Sequence, residues 1–110
     1  MIIGFAGYSK VGKDTAFDAL PSTFTRVAFA DPLKRELADT LMITIDELQA
    51  KKEEYRHLMV SLGRSRRLED PDYWIKAVQP LPAGDIAFTD VRYANEADWI
   101  MRQGGYVAHE

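Results

Sequence analysis

The chain has 110 residues, a net charge of -3 and no cysteine, which fits one small domain and excludes a disulfide framework, a thiolate metal site and a cysteine nucleophile. Hydrophobic residues at 46% and charged residues at 28% exclude disordered and low-complexity classes. A pI near 5.4 gives no overall field to draw nucleic acid or anionic lipid, and no apolar stretch approaches the ~18 residues of a membrane span, so a soluble cytoplasmic protein is expected.

Ile2–Ala6 reads as a short buried strand that enters a loop over Gly7–Gly12. Lys13–Leu20 suits a helix stopped by Pro21, because the residue before a proline is pushed out of helical space. Val27–Ala30 is a second apolar run, after which Asp31 offers an N-cap with Pro32 at the first helical position. Leu33, Leu37 and Leu41, with Ala38 and Met42 beside them, mark one buried helical face. Thr44 and Glu47 have capping-box spacing and Ile43 and Leu48 stand as a hydrophobic staple, so a helix should begin near Ile45.

Tyr55, Leu58, Met59 and Leu62 carry a further stripe, with Gly63 as its expected left-handed end. Asp70-Pro71 repeats the cap-plus-proline start ahead of Trp74, Ile75 and Val78, and Pro80 stops the element. Ile86–Thr89 is a strand with Asp90 at its carboxyl end. Asn95 caps a helix through Met101, ended by Gly104-Gly105, and Tyr106–Ala108 begins a last strand. Strands alternating with helices predict an α/β fold, a three-layer αβα arrangement around a short, mainly parallel sheet that binds ligands at its carboxyl ends. One domain over residues 1–110 is expected, with a helical region over about 44–79 inserted in it.

The segment Gly7-Tyr8-Ser9-Lys10-Val11-Gly12-Lys13-Asp14-Thr15 fits G-x-x-x-x-G-K followed by Asp-Thr, after a strand and before a helix, as a P-loop requires. Gly7 and Gly12 permit the tight bend whose backbone N–H groups, with those of Ser9, Lys10 and Val11, cradle phosphates of ATP. Lys13 follows the transferred phosphoryl group as a mobile charge, and Thr15 offers a hydroxyl. Asp14 replaces the usual Ser or Thr. A carboxylate 4 Å from one phosphate charge costs about 4 kcal/mol at an effective dielectric near 20. Magnesium or its water shell between them, acceptor-side cations, or a plain helix-dipole contact are the alternatives for Asp14.

Asp90 at a strand end is a second magnesium candidate, with Arg92 placed to neutralise a phosphoryl group in transit. Arg64-Ser65-Arg66-Arg67 suits either a phosphate-closing lid or a solvated face. Trp74 suits a stacking surface for a base or, more simply, a core position. His57 and His109 show no partner pattern.

Four blocks, Ile3–Thr15, Ala28–Lys34, Arg67–Trp74 and Thr89–Ala97, make the chain resemble the bacteriophage-type deoxynucleoside monophosphate kinases of the P-loop superfamily. That resemblance implies transfer of the terminal phosphoryl group of ATP to a deoxynucleoside monophosphate, with Mg2+, in a host cytoplasm. It places Asp31, Lys34 and Trp74 beside the acceptor, makes Arg67 the lid arginine and completes a catalytic set of Lys13, Arg67, Asp90 and Arg92. A homodimer is compatible with it. Members of that family continue well past the strand at Tyr106, so a shortened carboxyl end is expected. The competing readings are another small-molecule P-loop kinase, of the phosphomevalonate or dephospho-coenzyme A type, and a nucleotide-binding module without turnover.

Overall fold

Strands form at Ile2–Ala6 (β1), Phe24–Val27 (β2), Asp85–Val91 (β3) and Tyr106–His109 (β4) in a computed structural model that describes residues 1–109. Helices span Lys10–Asp18 (α1), Ala30–Leu41 (α2), Ile45–Ala50 (α3), Lys52–Glu69 (α4), Tyr73–Ala77 (α5) and Ala94–Arg102 (α6). The strands make one sheet in the order β2-β3-β1-β4 with every pairing parallel. The fold is therefore α/β with a parallel sheet, as the alternation of elements predicts, and it is compatible with the P-loop NTPase-like arrangement that the glycine loop suggests. Among the described residues no helix is long and apolar enough to cross a membrane.

Two units divide the chain. The sheet unit comprises Met1–Phe29 and the residues from Gln79 onward; the helical unit is Ala30–Val78. The helical segment thus begins earlier than position 44, taking in all of α2.

In the sheet unit, β3 is an inner strand and reads as a continuous buried run, Ile86 through Thr89. Phe29 lies flat on Phe88 at 4.5 Å between ring centroids, and Trp99 meets both rings edge-on. Ile100 of α6, fully buried, sits directly over β1. A Cβ on Gly4 would fall 2.7 Å from Ile100 Cδ1 and 2.9 Å from Val91 Cγ2, so the missing side chain is what lets the helix approach the strand. α6 ends at Gly104, φ +79°, with Gly104 N–H donating to the Met101 carbonyl and Gly105 N–H to that of Ile100.

Several boundaries differ from the sequence expectation, among them the start of α5, which lies at Tyr73 after Asp72 rather than at Pro71 after Asp70, because Asp70 turns its carboxylate to Lys76 and the Asp72 N–H. β2 occupies Phe24–Val27 rather than Val27–Ala30, because after Val27 pairs with Phe88 the Phe29 N–H turns to the Asp90 carboxylate and Ala30 opens α2. α1 starts at Lys10 rather than Lys13, because Ser9 caps it. α6 starts at Ala94, ahead of Asn95.

The helical unit packs Leu37, Ala38 and Leu48 together with Leu41, Ile43, Tyr55, Met59 and Leu62. Thr44 Oγ1 accepts the Glu47 N–H at 3.0 Å, and the staple residues Ile43 and Leu48 both join this core. Met42, expected on the buried face, is instead 91% exposed with φ +59°. It occupies the left-handed position of a Schellman closure, in which Met42 N–H donates to the Asp39 carbonyl and Ile43 N–H to that of Ala38. Gly63 likewise lies inside α4 rather than ending it, and Leu58 is exposed.

Glu36 gathers three helices of this unit: it accepts from Arg66 Nε at 3.1 Å and from the Tyr73 hydroxyl, while the Arg66 guanidinium lies over the Tyr73 ring. The Glu36 carboxylate raises the Arg66 pKa by hydrogen bond and charge, and raises that of the Tyr73 phenol by accepting its hydrogen bond, with burial adding to the effect. Before α5, Asp70 accepts from Lys76 Nζ at 2.7 Å and from the Asp72 N–H. These bonds lower the Asp70 pKa below its ordinary value and raise that of Lys76.

Gly4→Ala is expected to cost about 1–3 kcal/mol of overpacking, seen as a fall in melting temperature of several degrees. The Asp70–Lys76 pair contributes fully between the ordinary carboxylate value of 3.8 and the ordinary lysine value of 10.5. It is lost as pH falls through the depressed Asp70 value or rises through the elevated Lys76 value. Denaturant midpoints of Asp70→Asn and the unsubstituted chain should therefore differ most in that plateau, begin to approach each other below pH 3.8 and converge once the pH is below the depressed Asp70 value.

Candidate active site

Gly7 closes β1 with φ +77°, a left-handed conformation that glycine enters without steric cost. The chain then passes straight into α1. Ser9 Oγ accepts the Gly12 N–H at 3.0 Å, and Lys13 N–H donates to the Ser9 carbonyl at 2.9 Å. The N–H groups of Lys10 and Val11 precede that first intrahelical bond, and they are the donors a helix start offers an anion. Thr15 donates its hydroxyl back to the Val11 carbonyl at 3.1 Å, the usual habit of a threonine within a helix.

β3 ends beside this loop. Its register against β1 slips by one residue between the pairs Gly4–Phe88 and Ala6–Val91, an irregularity that re-aims the strand's last side chains. Asp90 Oδ1 accepts the Phe29 N–H at 2.8 Å. Glu96, only 3% exposed, accepts both the Arg92 and Tyr93 N–H groups through Oε1, at 2.9 and 3.1 Å. A buried carboxylate is tolerated when hydrogen-bonded in this way, and here it sets the course of the chain from Asp90 through Arg92 into α6.

A cavity of about 530 Å³ lies at this carboxyl edge, lined among others by Gly7, Tyr8, Lys13, Asp90, Arg92 and His109. Its volume suits a small-molecule ligand. Among the described residues, neither the Lys13 ammonium nor the Arg92 guanidinium enters an ion pair, which leaves two cations and one carboxylate in the cavity. Asp14 is not part of its lining; Asp14 Oδ1 lies 2.6 Å from Arg26 Nη2 of β2.

The helical unit carries the other expected residues. Asp31 and Lys34 are half-buried near the start of α2, and Arg67 Nη1 donates to the Pro71 carbonyl at 3.1 Å. Trp74 is 5% exposed and its indole N–H donates to the Gly63 carbonyl at 3.3 Å. That is the core placement, which leaves no face for stacking on a base.

Sequence reasoning missed Arg26 and the place of His109 in the cavity lining, whereas the resemblance gives Glu96, with Asn95, the task of securing the turn after Arg92, and Glu96 is the acceptor for two backbone groups there. Arg26 and His109 lie on strands far along the chain from their neighbours, so no local spacing marks them. The Glu96 role has a local signal, an acid three positions after the helix cap at Tyr93.

The family model for phosphomevalonate kinase matches residues 5–105. The chain belongs to the phosphomevalonate kinase family. No curated protein matches it. Membership in this small-molecule kinase family corrects the resemblance to bacteriophage deoxynucleoside monophosphate kinases, and it lends no support to a phage source or to deoxynucleotide metabolism. The reason is physical: the features that carried the resemblance, Gly-Lys-Asp-Thr and Asp-Val-Arg, are read as phosphate-handling motifs, and such motifs carry no record of the organic group to which an acceptor phosphate is attached.

Glu96→Ala is expected to destabilise the sheet unit by about 1–3 kcal/mol for each N–H left without an acceptor. Glu96→Gln, which keeps an acceptor oxygen, should lose less. Urea denaturation of both variants measures the difference.

Proposed function

We propose that this member of the phosphomevalonate kinase family transfers the terminal phosphoryl group of ATP to the phosphate of phosphomevalonate, giving the diphosphate and ADP. The observation that carries the proposal is the meeting of Lys13, Asp90 and Arg92 around one cavity at the mouth of a strand–glycine loop–helix, in a chain matched by the family over residues 5–105.

In that reaction an acceptor phosphate oxygen attacks the γ-phosphorus, its new P–O bond forming as the bond to the β–γ bridging oxygen breaks. The electron pair leaves with ADP. An anionic phosphate oxygen needs no general base, so the protein's task is orientation and charge neutralisation. The loop N–H groups and Lys13 hold the β and γ phosphates, and Arg92 meets the charge of the phosphoryl group in flight. Asp31, Lys34 and Arg67 of the helical unit are the acceptor-side residues of this reading.

Among the described residues no three acidic, histidine or cysteine side chains cluster as a protein-only metal cage. Magnesium bound to ATP needs only one or two carboxylates, since phosphates and water complete its octahedron. Asp90 in the cavity fits that need; Asp14, paired with Arg26, fits it only through water. When bound, the ion offsets phosphate charge.

A coupled ADP-release assay with ATP, magnesium and phosphomevalonate should show acceptor-dependent turnover; background rates with that acceptor would reject the proposal. Lys13→Ala should lower kcat about 10²–10³-fold, the loss typical of removing one electrostatic donor, with the melting temperature little changed.

A further inference from the structure

Asp14 follows Lys13 immediately, just past the first turn of α1 at whose start a polyphosphate would lie, and an unneutralised carboxylate that near repels the ligand proposed for the loop. The structure supplies a counter-charge from a different strand. Arg26 of β2 brings Nη2 to 2.6 Å from Asp14 Oδ1. Its Nε donates to Thr89 Oγ1 at 3.4 Å, and its guanidinium lies over the Phe17 ring with 5.4 Å to the centroid. Thr89 is buried at 4% exposure and directly precedes Asp90, so this hydroxyl is a fixed anchor. Arg26 therefore spans α1 and β3, touching the residue after the P-loop lysine and the residue before the cavity carboxylate.

Such a pair does little for stability. The Arg26 and Asp14 side chains are 40% and 49% exposed, a setting in which water screens most of the attraction. A planar fork with one edge on a carboxylate and another on a hydroxyl instead fixes direction, which a lysine at the same place would not do.

We infer that Arg26 is a positioning residue for nucleotide binding: it neutralises Asp14 and holds that carboxylate out of the phosphate cavity. The inference rests on the reading of that cavity as the ATP site. Arg26 acts through Asp14 and does not itself touch the nucleotide.

Calorimetric titration with ATP at fixed magnesium, on the unsubstituted chain and on Arg26→Gln, Asp14→Asn, the double variant and Arg26→Lys, tests it. Thermal unfolding of each is measured alongside. Arg26→Gln should weaken ATP binding roughly tenfold, equivalent to about 1.4 kcal/mol, with little change in melting temperature. The double variant should bind as Asp14→Asn does alone, because the group that Arg26 controls is gone. Arg26→Lys should recover part of the affinity by restoring the charge. An Arg26→Gln affinity within twofold of the unsubstituted chain overturns the inference, as does the same tenfold loss in the Asp14→Asn background. A melting-temperature drop that accounts for the lost binding also overturns it. If the unsubstituted chain does not bind ATP, the site reading itself fails and takes this inference with it. Binding that Lys13→Ala abolishes keeps the site reading intact, so that the Arg26 variants alone decide.

Discussion

Parallel strands deliver all their carboxyl ends to one edge of a sheet, and here β1 and β3 are neighbours at that edge. Everything chemical about the sheet unit follows from their adjacency. β1 ends in Gly7 and feeds the loop that leads to Lys13; β3 ends in Asp90 and Arg92. Residues almost 80 positions apart in the chain thereby line one cavity. The adjacency in turn requires close layering: Gly4 leaves the space that Ile100 and Val91 fill, and Gly105 allows the chain to return beside Ile2 and Ile100 without a side chain between them.

The charge balance of the site is local. A chain with net charge -3 has no general affinity for anions, so a phosphate site must assemble its own positive field. In the proposed reading two kinds of donor do this. Backbone N–H groups at the start of α1 supply partial charges that cannot move, and Lys13 and Arg92 supply full charges on flexible stems. The acidic residues close to them are each held: Asp90 by the Phe29 N–H, Glu96 by the Arg92 and Tyr93 N–H groups, and Asp14 by Arg26. A carboxylate tied to a donor repels an incoming phosphate less than a mobile one, and it also sets the backbone from which the cations project.

The helical unit uses a carboxylate differently. Glu36 joins α2, α4 and α5 by accepting from Arg66 and Tyr73 at once, with the arginine also lying on the tyrosine ring. This network takes Arg66 out of the basic run Arg64–Arg67, and the Pro71 carbonyl engages Arg67. A stretch that looks uniform in charge is thus divided by its partners. The indole of Trp74 is similarly committed, bonded to the carbonyl of Gly63, which lies within α4 instead of ending it.

Much of this was legible along the chain, because it depends on neighbours in sequence. The first strand, the glycine loop, the Thr44 cap with its staple, the buried run before Asp90 and the closure at Gly104 all rest on interactions spanning a few residues. The reading of the glycine loop and Lys13 as phosphate-handling rests on them too. The acceptor was not legible, since motifs that grip phosphates are indifferent to the carbon skeleton beyond. Met42 defeated the helical periodicity because a Schellman closure turns the backbone left-handed just where the stripe would place one more buried side chain. Arg26 had no local signal at all: Asp14 lies on the preceding helix and Thr89 across the sheet, 63 positions on. Sequence determined the loop and its charges, since short-range sterics and capping act within a turn or two. Only tertiary structure decided which carboxylates are neutralised and by which cations, since that depends on strand order and register, and long-range pairing is where those are set.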